Sequence, residues 1–308
     1  MDYDYDVVII GGGAAGLSGA VALLRSRRRV LVVDAGSPRN APADGVHNLL
    51  TRDGLPPLEL VELGRDEVRG YGGEVREGRA TSAAPLGEGF EVRLDGGALV
   101  TARRLLVASG LVDELPRLEG LRERWGHQVL HCPYCHGWEV RDQRVGVLAT
   151  GPTVVHQALL FSQLSDDVVV LAHSAPPGEE DRRRLAAAGV RIQEGEVVAL
   201  EGPAEGLEAA RLADGTRVPL DALVVAPRML ARSAVLDSLG LSAEEHPSGM
   251  GEQYPSGQMG RTDVPGVWIA GNVADLSAQV VGAAAAGTMA GAAINLDLIE
   301  ADLAERVS

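Results

Sequence analysis

The sequence predicts an α/β protein made of two Rossmann-like nucleotide-binding domains, one inserted into the other. Three observations predict it. The N-terminus runs strand, glycine turn, helix, strand; a second stretch beginning near residue 144 repeats that order; and 308 residues exceed the roughly 100 to 200 of one domain. With 45% hydrophobic and 23% charged residues, the chain can bury a core and does not read as disordered.

The elements follow in order. Val7, Val8, Ile9 and Ile10 form an apolar run ending in Gly11-Gly12-Gly13-Ala14-Ala15-Gly16. A helical pattern comes next, then Val30, Leu31, Val32 and Val33, closing at Asp34. This is the unit that binds dinucleotides. Gly11 permits the tight turn, Gly13 lets the backbone approach a pyrophosphate, and Gly16 lets helix and strand pack closely. The N–H groups at the helix start face the phosphates, and a carboxylate at Asp34 is placed to accept from an adenosine ribose. Residues 74–107 alternate in polarity around the turn signal Asp95-Gly96-Gly97, which predicts a small antiparallel sheet. That stretch closes on Val107-Ala108-Ser109-Gly110, a strand entering a small-residue turn. The second strand–helix–strand region reaches about residue 241 and a turn-rich link covers 247–255. Then come Val267-Trp268-Ile269, Gly271-Asn272 and a long Ala/Gly helix.

Charge excludes several classes. The 28 basic and 43 acidic residues leave a net charge of -15, which repels phosphate backbones and anionic lipid, so neither nucleic acid nor membrane is an expected partner. Every basic residue is Arg and none is Lys, which rules out a P-loop and Schiff-base lysine chemistry. Asp2, Asp4 and Asp6 precede the first apolar run, unlike the cationic start of a signal peptide, and the expected location is the cytoplasm. The uncharged stretch 278–296 contains Gln279 and Asn295 and reads as too weakly apolar for a bilayer. Its Gly287 and Gly291 are spaced for close packing instead.

The chain has two cysteines, in His131-Cys132-Pro133-Tyr134-Cys135-His136-Gly137. In a cytosolic chain this spacing points to redox or metal chemistry and not to a structural staple. Two thiols this close can cycle between dithiol and disulfide, and a lowered pKa makes one of them a nucleophile.

The glycine turn, residues 107–110, the Cys pair and Gly271-Asn272-Val273-Ala274-Asp275 stand in an order that resembles the low-molecular-weight thioredoxin reductase family over nearly the whole chain. The resemblance implies a thioredoxin reductase-like fold of three-layer ββα type. Residues 1–117 and 247–308 would form the FAD-binding domain, residues 118–246 a central NADPH-domain-like domain carrying the Cys pair, and the protein would be a homodimer. By the same resemblance Gly11, Gly13, Ala14, Ala15, Gly16 and Asp34 hold the ADP half of FAD, and Asn48, Ser109 and Gly110 lie near the flavin. Gly271 and Asn272 meet the ribityl chain, where Asn replaces the family's Asp and accepts without charge. Ala278, Gln279 and Val280 begin the helix whose positive end faces the flavin pyrimidine. Cys135 faces the flavin, and Cys132 meets the substrate.

His136 stands where the family has Asp. An imidazole of ordinary pKa about 6.5 accepts a thiol proton at neutral pH far better than a carboxylate of about 3.9. His136 is the expected general base, with His131 in reserve; the alternative is that His136 only caps a turn. Cys-x-x-Cys-His is also the c-type haem attachment pattern, which requires export and a fold without a flavin site. Zinc would lack its usual second Cys pair, so no metal ligands are assigned. Glutaredoxin shares Cys-Pro-Tyr-Cys but carries it early in a small domain, whereas here it lies mid-chain.

A reductase of this family needs a second glycine turn for NADPH, and the matching stretch is Leu148-Ala149-Thr150-Gly151-Pro152-Thr153-Val154-Val155. Only Gly151 fits. Ala149 adds a methyl at the turn, Val154 a branched side chain at the helix–strand contact, and Pro152 lacks an N–H. Strand 168–172 leads into His173-Ser174-Ala175-Pro176-Pro177 without the Arg pair that reads a 2′-phosphate; Arg182, Arg183 and Arg184 read as a solvated helix face. A degraded nicotinamide turn beside Cys-Pro-x-Cys-His-Gly resembles the dithiol oxidases that close disulfides in gliotoxin- and holomycin-type natural products. The resemblance implies FAD-dependent oxidation of a small-molecule dithiol with oxygen as final acceptor. Two alternatives stay open: a reductase of a thioredoxin-like protein fed by NADPH or another donor, and a flavin redox sensor without turnover.

Overall fold

The computed structural model describes residues 2–203 and 205–307. The chain divides into two compact units. The first comprises Met1–Ala41, Leu55–Val112 and Met229–Ser308; the second comprises Pro42–Gly54 and Asp113–Arg228. Three segments therefore fall elsewhere than the expected boundaries: residues 42–54, 113–117 and 229–246. Residues 229–246 join the first unit because strand Arg228–Ala231 pairs in parallel with Gly251–Gln253 and helix Ala234–Ser238 docks on strand Ala80–Leu86. There the Ser238 hydroxyl accepts from the Ala83 N–H at 2.8 Å and donates to its carbonyl at 3.1 Å. Residues 42–54 and 113–117 join the second unit.

In the first unit β1 (Tyr5–Ile10) leads through α1 (Ala14–Arg25) to β2 (Val30–Asp34), and α2 (Pro57–Gly70) leads to β3 (Glu74–Glu77). The hairpin β4 (Ala80–Leu86) and β5 (Gly89–Leu94) follows, then β6 (Leu99–Val107). The sheet order is β3-β2-β1-β6-β5-β4, with strand Val267–Ile269 also paired to β6. β1 runs parallel to both β2 and β6. Its apolar run is unbroken because both faces are covered. Val7, Ile9, Val30 and Val32 pack toward α1 and the C-terminal helix, while Val8, Ile10, Leu31 and Val33 pack with the β4–β5 hairpin.

The C-terminal helix Val280–Val307 packs backbone to backbone on α1. A Cβ at Gly287 would stand 1.9 Å from the Ala15 carbonyl oxygen, so only glycine allows the approach. By length and composition this helix is apolar enough to cross a membrane, with a mean hydropathy of 1.2 over its most apolar window, contrary to the reading of its sequence. Alanine and valine outweigh the two amides that weighed against it.

The second unit repeats the architecture. Its five-stranded parallel sheet runs in the order Arg191–Glu194, Val168–Ala172, Val145–Leu148, Ala222–Val224, Val129–Leu130. Helix Val154–Phe161 and Leu185 of helix Glu179–Ala187 cover one face, and the three-stranded sheet Val197–Glu201, Ala209–Leu212 and Arg217–Pro219 covers the other. In each unit the turns that matter for chemistry follow the carboxyl ends of parallel strands, where open α/β sheets bind ligands.

Candidate functional site

In the first unit, the turns after β1, β2, β6 and strand Val267–Ile269 converge on one edge of the sheet. Gly11 has φ +103°, and a Cβ there would stand 2.3 Å from the Ala108 carbonyl oxygen, so the turns after β1 and β6 touch. A Cβ at Gly16 would stand 1.8 Å from the Gly11 carbonyl oxygen, whereas one at Gly13 would meet nothing within 4 Å. Gly13 is thus the residue whose backbone opens onto free space at the start of α1, and Ala14 and Ala15 begin the helix. This crowded-then-open pattern fits a dinucleotide pyrophosphate at a helix N-terminus.

Asp34 is buried at the end of β2. One carboxylate oxygen accepts from the Gly12 N–H at 3.1 Å and the other from Arg65 at 2.5 Å. Two of its roughly four acceptor positions are therefore already engaged, and the rest suffice for a ribose. Ser109 and Gly110 lie in the turn beyond β6, and Gly110 has φ +71°. Asn272 uses its amide nitrogen on the carbonyls of Asp275 at 2.9 Å, Ala278 at 3.0 Å and Leu276 at 3.5 Å. A carboxylate has no hydrogen for these bonds, which is the physical reason for asparagine here. Ala278 and Gln279 lead into the C-terminal helix at Val280, and the Gln279 carbonyl accepts the Ala283 N–H at 2.8 Å.

The Cys pair belongs to the second unit, just past strand Val129–Leu130. Cys132 is the N-cap of a single helical turn, Pro133–His136, which carries Cys135; its carbonyl accepts the N–H groups of Cys135 at 3.2 Å and His136 at 3.1 Å. Both cysteines are half-buried. Pro at the first helical position costs nothing there, since that N–H has no helical partner. His131 is tied down upstream: its carbonyl accepts from Gln157 at 3.2 Å, and its Nδ1 lies 3.4 Å from the Val225 carbonyl oxygen. Donation to that carbonyl fixes the Nδ1–H tautomer.

His136 differs. Its Nε2 is buried with no hydrogen-bond partner among the described residues. Burial, helped by the neighbouring His47, holds its pKa below the ordinary histidine value, although Glu139 pulls the other way. The ring is therefore neutral at neutral pH, as a proton acceptor must be.

Asn48 belongs to the second unit, and the other residues expected around the flavin belong to the first. Its amide donates to the Tyr134 carbonyl at 2.6 Å and so braces the Cys turn from the loop at residues 42–54. The same loop brings His47, whose ring stands edge-on to that of His136 at 6.2 Å between centroids. Sequence reasoning missed His47, Glu139 and Arg65. The only local signal was the adjacency of His47 to Asn48 and of Glu139 to the Cys motif. Tyr134 and Trp138 are exposed, and the Arg141 guanidinium lies 4.2 Å over the Trp138 ring.

In the second turn a Cβ at Gly151 would meet nothing within 4 Å, but the residues around it differ from those of the first turn. Ala149 is fully buried, and its carbonyl accepts the N–H groups of Ser174 at 3.1 Å and Ala175 at 3.0 Å, pinning the next loop onto the turn. Val154 is buried in the core. His173 Nδ1 accepts the Val197 N–H at 3.1 Å. Arg182 is engaged by Glu194 at 2.5 Å and by the Pro177 carbonyl, and Arg184 reaches Asp181. The helix that follows opens with three acids, Glu179, Glu180 and Asp181. No group of three or more His, Cys, Asp or Glu among the described residues is arranged to hold a metal.

Comparison with known proteins agrees with this architecture. The chain matches the family described as pyridine nucleotide-disulphide oxidoreductase over residues 5–287. It is 30% identical to the thioredoxin reductase sirT of Leptosphaeria maculans, covering 98% of this chain and 97% of that one. To the thioredoxin reductase tcpT of Claviceps purpurea it is 32% identical, covering 97% and 95%. The crystal structure of HlmI superimposes with a TM-score of 0.92 at 45% identity, covering 98% of this chain and 95% of that one. The chain thus belongs to the pyridine nucleotide-disulphide oxidoreductase family, has a thioredoxin reductase-like fold, and is a flavin-dependent oxidoreductase acting on sulfur.

Proposed function

We propose that the chain is an FAD-dependent dithiol oxidase that closes a disulfide in a small-molecule dithiol, with oxygen as final acceptor. One contrast within the second unit carries the reading. The Cys pair keeps beside it a neutral imidazole whose buried Nε2 has no partner among the described residues, while the turn that would seat a nicotinamide dinucleotide carries buried Ala149 and Val154 in place of glycines and the next helix opens with three acids. Electrons then enter through sulfur.

The turn at residues 11–16 would hold the FAD pyrophosphate and Asp34 the adenosine ribose, with residues 109–110, 271–272 and 278–280 serving the flavin half. Bound FAD supplies a two-electron acceptor that oxygen regenerates with release of hydrogen peroxide. The protein's own sulfur chemistry is exchange. A substrate thiolate attacks Cys132 Sγ of the oxidised pair, the Cys132–Cys135 bond breaks, and Cys135 leaves as thiolate. His136 takes the proton of the second substrate thiol. That thiolate attacks the substrate sulfur of the mixed disulfide, and the closed product departs, leaving both electrons on the reduced pair. His131, its Nδ1 held by the Val225 carbonyl, stays the reserve base. A cytoplasmic homodimer completes the reading.

The experiment is aerobic turnover with a panel of small dithiols and a thioredoxin, following oxygen uptake and peroxide. The expected result is one peroxide per disulfide closed, abolished in Cys132→Ser and Cys135→Ser. A second reading, a reductase of a thioredoxin-like protein, is favoured by the names of the two fungal relatives. It would replace the first if small dithiols consumed no oxygen while NADPH drove reduction of a protein disulfide.

A further inference from the structure

We infer that Asp53, His47 and Glu139 form a charge clamp that orients the His136 ring and sets its proton occupancy, with His47 the positioning residue. His47 Nδ1 lies 3.3 Å and 3.4 Å from the two Asp53 carboxylate oxygens, and its Nε2 lies 3.4 Å from Glu139 Oε1. Both nitrogens of one ring thus face carboxylates, which fixes the plane of the ring. The clamp holds that ring edge-on to His136, at 85° between planes.

The groups acting on His136 are few. Glu139 favours its protonation, as does Asp44; His47 and His127 oppose it, and burial opposes it most. Asp44 and His127 lie 3.3 Å apart and offset one another. The segment itself adds His131, Cys132 and Cys135. Glu139 and His47 therefore act in opposite directions on one buried base, and each partly cancels the other. Removing His47 leaves Glu139 and Asp53 uncompensated and makes His136 easier to protonate. Removing Glu139 does the reverse. No packing role gives this opposition of sign.

The test is the titration of His136 in the flavoprotein carrying 13C-labelled histidine, its resonance identified by loss in His136→Gln. His47→Gln should raise the midpoint, by about half a pH unit for a charge 6.2 Å away in a water-like dielectric, and Glu139→Gln should lower it. The double variant should fall between. His47→Phe keeps a ring without the charge and should move like His47→Gln; wild-type behaviour there would reduce His47 to packing and overturn the clamp. Unmoved midpoints, or shifts of one sign in both single variants, would overturn it too. The acid limb of dithiol-driven flavin bleaching must move in the same order, and an unmoved limb would equally contradict the clamp. The kinetic arm rests on the dithiol oxidase reading. The resonance arm needs no electron donor, so it stays decisive if that reading fails.

Discussion

At the scale of single residues, the proposed chemistry turns on His136, whose affinity for protons is lowered by burial. The ordinary histidine value is about 6.5, and His136 lies below it, so its base form persists into mildly acidic solution. The acid limb of dithiol-driven flavin reduction is expected below about pH 6.5, read from a pH–rate profile. The stability linkage has a definite sign. The unfolded chain binds this proton at higher pH than the folded chain does, so stability declines as pH falls from about 6.5 toward the lower folded value. His136→Gln should lower the rate of thiol-driven flavin reduction by about a hundredfold or more, measured by rapid mixing. Asn272 is a second residue with a one-atom argument. Asn272→Asp removes the donor shared by three loop carbonyls and should cost about 1–3 kcal/mol, seen as a lower melting temperature and weaker retention of FAD.

Between neighbouring elements, what was legible in the sequence follows from local repetition. The apolar runs at 7–10 and 30–33 could be read as strands covered on both faces, and Gly11 and Gly16 announced their turn because no other residue tolerates those backbone approaches. The loop at residues 42–54 has no periodicity, and its docking on the Cys turn is decided by tertiary contacts such as Asn48 to Tyr134 and Gly126 against Pro42. His47 was invisible for that reason. Arg65 reaches Asp34 from a different element, and nothing in its neighbourhood in the chain marks it. The unit boundary near residue 228 was obscured in the same way, since a short strand pairs with another that lies well downstream. The helix–helix contact was readable from the Gly287 and Gly291 spacing, and it can be tested against an internal control. Gly287→Val forces a branched side chain into the Ala15 carbonyl and should cost at least about 1–3 kcal/mol in urea unfolding. Gly282→Ala, where an added Cβ meets only the Ala278 methyl at 3.9 Å, should be neutral or stabilise by up to about 1 kcal/mol.

Over the whole molecule, two nucleotide-type units have diverged in what they retain. The first keeps an open glycine turn with a buried carboxylate at the neighbouring strand end. The second keeps the strand–helix frame but carries buried Ala149 and Val154 at its turn, ties residues 174–175 to the Ala149 carbonyl, and opens the following helix with acids. The frame survives because its buried strands and helix still form a core that presents the Cys turn. The most direct measurement is anaerobic rapid mixing of the purified flavoprotein with a small dithiol and, separately, with NADPH, following flavin absorbance. The account predicts rapid bleaching by the dithiol and none by NADPH on that timescale; rapid bleaching by NADPH with no response to dithiols would contradict it.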